Sequence, residues 1–306
     1  MKHVKSSGIG GGAIPPSFPP IDRLASLLDR FRVRASLFHS GPLCGLHVFD
    51  EIPGRAFLHV LRRGDMEMRC RGAHGLIRMQ LSRPTLLLFP GPVHHEFVNP
   101  PADGPDFTCA TLDFDGGERN PIAQSLPPVV AIPLDEIEGV ESTLDLLFSE
   151  ADQARCGSRL LVNRLFEVVL IQVLRWIVDH PRQAGVTQGV MMGLADPRLA
   201  RLLIALHDAP QEGWPLQRMA AAAGMSRSAF AAAFKLAIGT TPALYLLDWR
   251  LSMATSMLRA GSSIKQVADG LGFADAASLS KAFRRRVGAS PRAWLDDMAA
   301  KAGTIA

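Results

Sequence analysis

Leu216-Gln-Arg-Met-Ala-Ala-Ala-Ala-Gly224 and Ile264-Lys-Gln-Val-Ala-Asp-Gly-Leu-Gly272 are one pattern written twice. Apolar residues fall at Leu216/Ile264 and Met219/Val267, small ones at Ala220/Ala268, and a glycine closes each copy. The segments that follow match one residue further apart: Phe230 with Leu279, Phe234 with Phe283, Gly239 with Gly288, Pro242 with Pro291, Tyr245 with Trp294. Punctuation repeated this closely marks a repeated folded unit.

Each copy reads as a short helix, a glycine where a left-handed backbone is wanted, and a second helix. Ser226 and Asp275 stand at its N-cap positions. The second helix buries Phe230 and Phe234 in one copy, Leu279 and Phe283 in the other, at i, i+4 spacing. Gly239-Thr-Thr-Pro242 and Gly288-Ala-Ser-Pro291 end it. This is the sequence form of a helix-turn-helix, whose second helix enters the DNA major groove. A helical pattern from Ala243 to Leu258 joins the two. A plain helical domain with an accidental repeat would explain the glycines but not the charge. From Pro197 onward the chain holds 14 Lys+Arg against 7 Asp+Glu, and the first 196 residues hold 19 against 22. A basic tail on an acidic front half is the electrostatic footprint of nucleic-acid binding.

The tail resembles the DNA-binding domain of the AraC/XylS family of transcriptional regulators. Ser262-Ile-Lys-Gln-Val-Ala268, Gly272-Phe273, Ser278-Leu-Ser-Lys-Ala-Phe283 and Gly288-Ala-Ser-Pro291 carry the resemblance. It implies seven helices, two helix-turn-helix units joined by a long helix, recognition helices in successive major grooves, and RNA polymerase as a partner. The family's base-facing positions fall on Arg227, Ser228, Ala231 and Ala232 in the first unit and on Ala276, Ala277, Ser280 and Lys281 in the second. Ala231-Ala-Ala233 departs from the Arg or Gln that family members commonly present there. Alanine offers only a methyl to thymine, although such a run also serves helix propensity. The first unit is thus expected to read bases through Arg227. Phosphate contacts are expected from Lys235, Arg250, Lys265, Arg284, Arg285 and Arg286, which bind any sequence and weaken with salt.

The 306 residues have room for two domains. Residues 1–20, with Gly10-Gly-Gly12 and several prolines, read as a flexible leader without the apolar block of a signal peptide. Ile21, Leu24, Leu27, Leu28 and Phe31 predict one amphipathic helix over 21–38. From about Ala35 to Ile132, short apolar runs (Leu43–Phe49, Ala56–Leu61, Leu86–Phe89, Phe107–Phe114) alternate with turn residues, the rhythm of a β-sandwich or barrel. Helical patterns return at Ile137–Asp152 and Arg159–His180, the second apolar enough to be buried or to form a subunit interface. Residues 184–196 read as a linker, 197–298 as the DNA-binding domain and 299–306 as a tail. No run of about eighteen apolar residues predicts a membrane span, and the expected compartment is the cytoplasm.

The β region resembles the cupin-type sensor domain of one branch of the same family, on Phe57-Leu-His-Val-Leu-Arg-Arg-Gly64 and Leu86-Leu-Leu-Phe-Pro-Gly-Pro-Val-His-His-Glu-Phe-Val-Asn99. In cupin enzymes the first motif supplies two histidines and a glutamate to a metal. Here His59 is followed by Leu61, Arg62 and Arg63, so the second histidine and the acid are missing. His59 and His95 remain. None of the four cysteines forms a C-x-x-C pair, and a reducing compartment argues against disulfides. Cys44 and Cys109 lie on predicted strands, and with His59 and His95 they would make a tetrahedral set suited to zinc. Two readings stand beside it: cysteines as small core hydrophobes, and a thiol that responds to oxidants. Cys70, between Arg69 and Arg71, has the local charge for a thiolate, and reads equally as a strand residue between two solvated arginines.

The expected architecture is α+β and multidomain. A cupin-like β-barrel with following helices spans 21–183, for sensing and dimerisation, and precedes an all-α domain with two helix-turn-helix units. The leading function is a sequence-specific regulator that binds double-stranded DNA as a homodimer and answers a small-molecule or redox effector. A cupin-type metal enzyme carrying a DNA-binding module is the alternative. A constitutive architectural protein, whose β domain only dimerises, is a third.

Overall fold

The structure, a computed structural model, describes residues 21–72, 75–99, 104–153 and 155–304. The predicted leader and the last two residues of the predicted tail lie outside them. A short helix α1 (Ala25–Arg30) leads into strands β1 (Val33–Pro42), β2 (Leu46–Phe49), β3 (Arg55–Arg63), β4 (Met66–Gly72), β5 (Gly75–Leu81), β6 (Thr85–Phe89), β7 (His95–Val98) and β8 (Asp106–Phe114). Helix α2 (Pro121–Ser125), strand β9 (Val130–Pro133), and helices α3 (Val140–Ala151) and α4 (Ser158–Asp179) complete the first half. The second half is helical: α5 (Val190–Ala195), α6 (Pro197–Asp208), α7 (Leu216–Ala222), α8 (Arg227–Ile238), α9 (Pro242–Arg259), α10 (Ile264–Gly270), α11 (Ala276–Val287) and α12 (Pro291–Thr304).

The strands form two antiparallel sheets, β1-β8-β3-β6-β9 and β2-β7-β4-β5. Strand β3 reads as almost unbroken hydrophobicity because both of its faces are covered. Phe57 and Leu61 look into the layer between the sheets with Leu87, Phe89, Phe97, Phe107, Met66 and Met68. Ala56, Leu58 and Val60 face the other way, into a core shared with Leu144 and Leu147 of α3 and Phe166, Val169 and Val173 of α4. Strand β4, by contrast, alternates buried and part-exposed residues, and its outward Arg69 pairs with Glu67 at 2.8 Å.

The predicted helix over 21–38 stops at Phe31. Spacing suits a helix only as far as that buried ring; from Val33 the chain is extended and pairs with β8, Val33 opposite Phe114 and Ala35 opposite Leu112. Helix α4 covers this edge strand and meets its free backbone amides, since Leu37 N donates to Asn163 Oδ1 (2.9 Å) and Ala35 N to Glu167 Oε1 (3.3 Å). An edge strand finished in this way no longer offers a template for another strand.

The stretch read as a linker, 184–196, contains α5. Val190, Met191 and Leu194 are buried there, packed among α2, α4, α6 and α8. Gly189 at φ +111 lies so close to α2 that a Cβ would meet the Ser125 Cβ at 2.5 Å. The two halves therefore share a core. Phe31 meets Trp249 edge-on at 4.9 Å, and Trp249 stacks on His207 at 3.6 Å. The turn Gly117–Arg119 touches α9 and α11: Ser252 Oγ donates to the Arg119 carbonyl, and Arg119 Nη2 to that of Arg286, each at 3.3 Å.

Helices α6 to α12 are the seven that the resemblance implies, the last running to Thr304 through most of the predicted tail. No single helix among the described residues is long and apolar enough to cross a membrane.

Candidate nucleic-acid interface and buried histidine pair

The two helix-turn-helix units are built by local chemistry. Gly224 (φ +65) and Gly272 (φ +70) adopt the left-handed conformation that closes α7 and α10. The Ser226 hydroxyl accepts from Ala229 N and starts α8. Asp275 and Ser278 form a reciprocal capping box on α11, as Ser263 and Gln266 do on α10. Such caps satisfy amides that the helix itself leaves without partners. Phe230 and Phe234 pack edge-on in the first unit, and Leu279 and Phe283 are fully buried in the second.

The opposite faces are open. Arg227, Ser228, Ala232 and Lys235 are exposed on α8, with Ala231 half-buried. On α11, Ala277, Lys281, Arg284, Arg285 and Arg286 are exposed, and Ala276 and Ser280 are half-buried. The Ser280 hydroxyl donates back to the Ala276 carbonyl at 2.8 Å, so its proton is already used. Among the described residues the side chains of Arg227, Lys235, Lys265, Lys281, Arg284 and Arg285 have no hydrogen-bond or ion-pair partner. Exposed cations left free are what phosphate contact requires.

Two cations assigned to phosphate from the sequence are engaged elsewhere. Arg286 holds Asp248 of α9 through Nε (2.7 Å) and Nη2 (2.5 Å), so its charge is already met within the fold. Arg250 is half-buried and donates to three backbone carbonyls, Pro210 (2.7 Å), Glu212 (3.0 Å) and Gly272 (3.3 Å).

In the β half, the structure brings together two of the four residues proposed for zinc. His59 and His95 are fully buried with their Nε2 atoms 3.0 Å apart. Cys109 is opposite His59 in register and looks into the same layer. Cys44 is not on a strand: it lies exposed between β1 and β2. Among the described residues no three His, Cys, Asp or Glu side chains converge as a metal-binding group, so the four donors as placed do not fit a tetrahedral ion.

A second cysteine shares the layer with Cys109: Cys70, opposite His95 in register and 1% exposed. The sequence left two readings there, a thiolate favoured by Arg69 and Arg71 or a strand residue between two solvated arginines. On a strand those neighbours face away, and burial raises the thiols of Cys70 and Cys109. Within the first cupin-like motif, Arg62 ties the sheet to α3: its two terminal nitrogens hold Asp152 at 3.1 and 2.9 Å, and its guanidinium lies 4.2 Å from the Phe148 ring centre.

A cupin family model matches residues 22–179, and a helix-turn-helix domain model matches residues 219–297. AraC-like transcription regulators of Streptomyces antibioticus and Streptomyces lividans are 35% identical over 173 residues and 34% identical over 169 residues. These alignments cover 56% and 54% of this chain and 56% and 55% of the relatives, so the chain spans little more than half the length of the curated relatives it matches. The DNA-binding domain of AdpA, a global transcriptional factor solved with a target DNA, is 30% identical and aligns with 35% of this chain and 96% of that one, at a TM-score of 0.33.

Proposed function

Because this chain belongs to the AraC-like transcriptional regulators that carry an N-terminal cupin domain, we propose that it is a sequence-specific regulator that binds double-stranded DNA. The observation that carries this reading is the pair of equivalent helices α8 and α11. Each is capped alike and buried alike, and each presents unpaired cations beside its base-facing positions. Lys235, Lys265, Arg284 and Arg285 supply the contacts to the phosphates, while Arg227 and Lys281 read bases. Ser228, Ala231, Ala232, Ala276, Ala277 and Ser280 line the approach and offer methyl and hydroxyl contacts. The protein acts in the cytoplasm, with RNA polymerase as the partner the family implies.

The β half is the receiver of a small-molecule or oxidative signal. It is read as a sensor and not as a metal enzyme because Leu61, Arg62 and Arg63 replace the histidine and acid of the enzymes' first motif, and Arg62 is committed to Asp152. The functional unit is a homodimer. On α4, Leu161, Val168 and Ile171 lie on one outward face, flanked by Arg164 and Arg175, and supply the apolar contact of that dimer. Leu161 and Val168 stand 40% and 43% exposed on it.

The test is selection of duplexes from a random-sequence pool by the purified chain. Enrichment of one bipartite sequence, with two elements about one helical turn apart, is the expected result. Equal retention of all duplexes, or of none, overturns the reading.

A further inference from the structure

Arg250 sits in α9, the helix that both helix-turn-helix units share, and its guanidinium is divided between them. Nε and Nη2 donate to the carbonyls of Pro210 and Glu212, in the loop leading into α7; Nη1 donates to the carbonyl of Gly272, in the turn between α10 and α11. Loop and turn also touch directly. A Cβ added at Gly272 would lie 2.2 Å from the Gln211 carbonyl oxygen and 2.8 Å from its carbon, both backbone atoms that cannot step aside without moving the loop. The first unit's entry and the second unit's turn are thus clasped around one side chain. The guanidinium fork suits this role, because its donors leave in fixed directions and reach three acceptors at once.

Geometry makes the clasp matter. Two helices reading successive major grooves must match the helical repeat of DNA, and one inserted base pair moves the second element by about 3.4 Å and turns it by about 35°. A rigid pair of units rejects that change, and a loosened pair tolerates it. We propose that Arg250 is a positioning residue that holds the two recognition helices at a fixed separation, and so sets the spacing of DNA elements the chain accepts. The inference rests on the DNA-binding reading above.

The experiment uses the full chain and the bipartite duplex it recovers from a random pool, together with duplexes carrying one or two extra base pairs between the elements. If the wild-type chain recovers no duplex, the DNA-binding reading fails and takes this inference with it. If it does, Arg250→Met and Gly272→Ala are compared with it, after circular dichroism has shown that they fold. Arg250→Lys, which keeps the charge and loses the fork, carries the test where the methionine variant does not fold.

The expected penalty for insertion is about tenfold or more in the wild type, in the range of a mismatched site. In each variant it shrinks to about threefold or less, affinity for the original duplex falls, and the slope of affinity against salt stays that of the wild type. A slope shallower by about one unit in Arg250→Met would make Arg250 a phosphate ligand. An undiminished insertion penalty in a folded variant would make it an ordinary stabilising contact. Either result overturns the proposal.

Discussion

His59 and His95 meet across the two sheets at 3.0 Å, and their tautomers follow from their surroundings. His95 Nδ1 lies 2.8 Å from the Val93 carbonyl, which can only accept, so Nδ1 carries the proton and Nε2 the lone pair. His59 must then donate from Nε2. Its Nδ1 is left an acceptor, buried and without a partner among the described residues. Phe89 and Phe49 stack on His95 at 3.8 and 4.8 Å, and Phe57 stacks on His59 at 5.7 Å. The pair is neutral, and it couples the two sheets through one hydrogen bond in an aromatic layer.

Neutrality makes the fold sensitive to acid. Burial holds His95 down to about 4 and His59 well below its ordinary value. Burial likewise takes His207, stacked on Trp249 at the junction of the halves, to about 3. In the unfolded chain each titrates near 6.5, so between that pH and the folded value the unfolded state holds more protons, and stability falls as pH falls. The contribution is complete above about pH 6.5 and erodes by about 1.4 kcal/mol per group for each pH unit below it. Urea unfolding at pH 7 and pH 5 is expected to differ by several kcal/mol; equal midpoints would contradict the buried, neutral assignment.

Breaking the pair on one side is expected to cost more than removing it. His95→Leu leaves the His59 Nε2 proton buried without an acceptor, at about 1–3 kcal/mol beyond the lost contact. His59→Leu combined with His95→Leu removes donor and acceptor together. Unfolding free energies of the two single variants and the double variant should therefore be non-additive, the double less damaged than the sum. Simple additivity would mean that the hydrogen bond contributes nothing.

At the junction, Phe31 is fully buried against Trp249. Phe31→Ala should cost about 3–5 kcal/mol through the cavity it leaves. Because that cavity opens between the halves, calorimetry should show the unfolding transition separating into two. A single transition, merely shifted, would mean that the other contacts between the halves suffice to couple them.

Much of this molecule was legible where its causes are local. The helix-turn-helix units follow from Gly224 and Gly272, from caps within three residues of the amides they serve, and from apolar pairs four apart, Phe230 with Phe234 and Leu279 with Phe283. Causes that act across the chain were hidden. Arg250 reads as one more exposed cation until Pro210, Glu212 and Gly272 are brought around it. Cys70, and not Cys44, shares the histidine layer because of strand register, which no short window carries. The stretch 184–196 contains helix α5 because Val190, Met191 and Leu194 find α6 and α8, and the chain turns extended after Phe31 although the apolar spacing alone continues the helix.

The exposed stripe on α4 predicts an association that charge would abolish. Val168→Glu puts a carboxylate at its centre, and sedimentation should show the variant as a monomer at concentrations where the parent chain is a dimer. The β half keeps its fold, because Val168 faces away from the core. A parent chain that sediments as a monomer would remove the homodimer from the functional proposal.

The division of labour on the DNA surface is testable one side chain at a time. Arg227 and Lys281, the proposed base readers, have no partners among the described residues, so Arg227→Ala and Lys281→Ala should each lose about 1–3 kcal/mol on the selected duplex and little on a scrambled one. Arg285→Ala should weaken both duplexes alike and make the salt dependence shallower by about one unit. Arg286→Ala separates the free cations from the paired one. Asp248 already meets that guanidinium, so its loss should change the salt slope less than the loss of its neighbour Arg285. Equal losses on both duplexes for Arg227→Ala would reassign Arg227 to the phosphates and leave the first unit with no side chain that reads sequence beyond the methyls of α8.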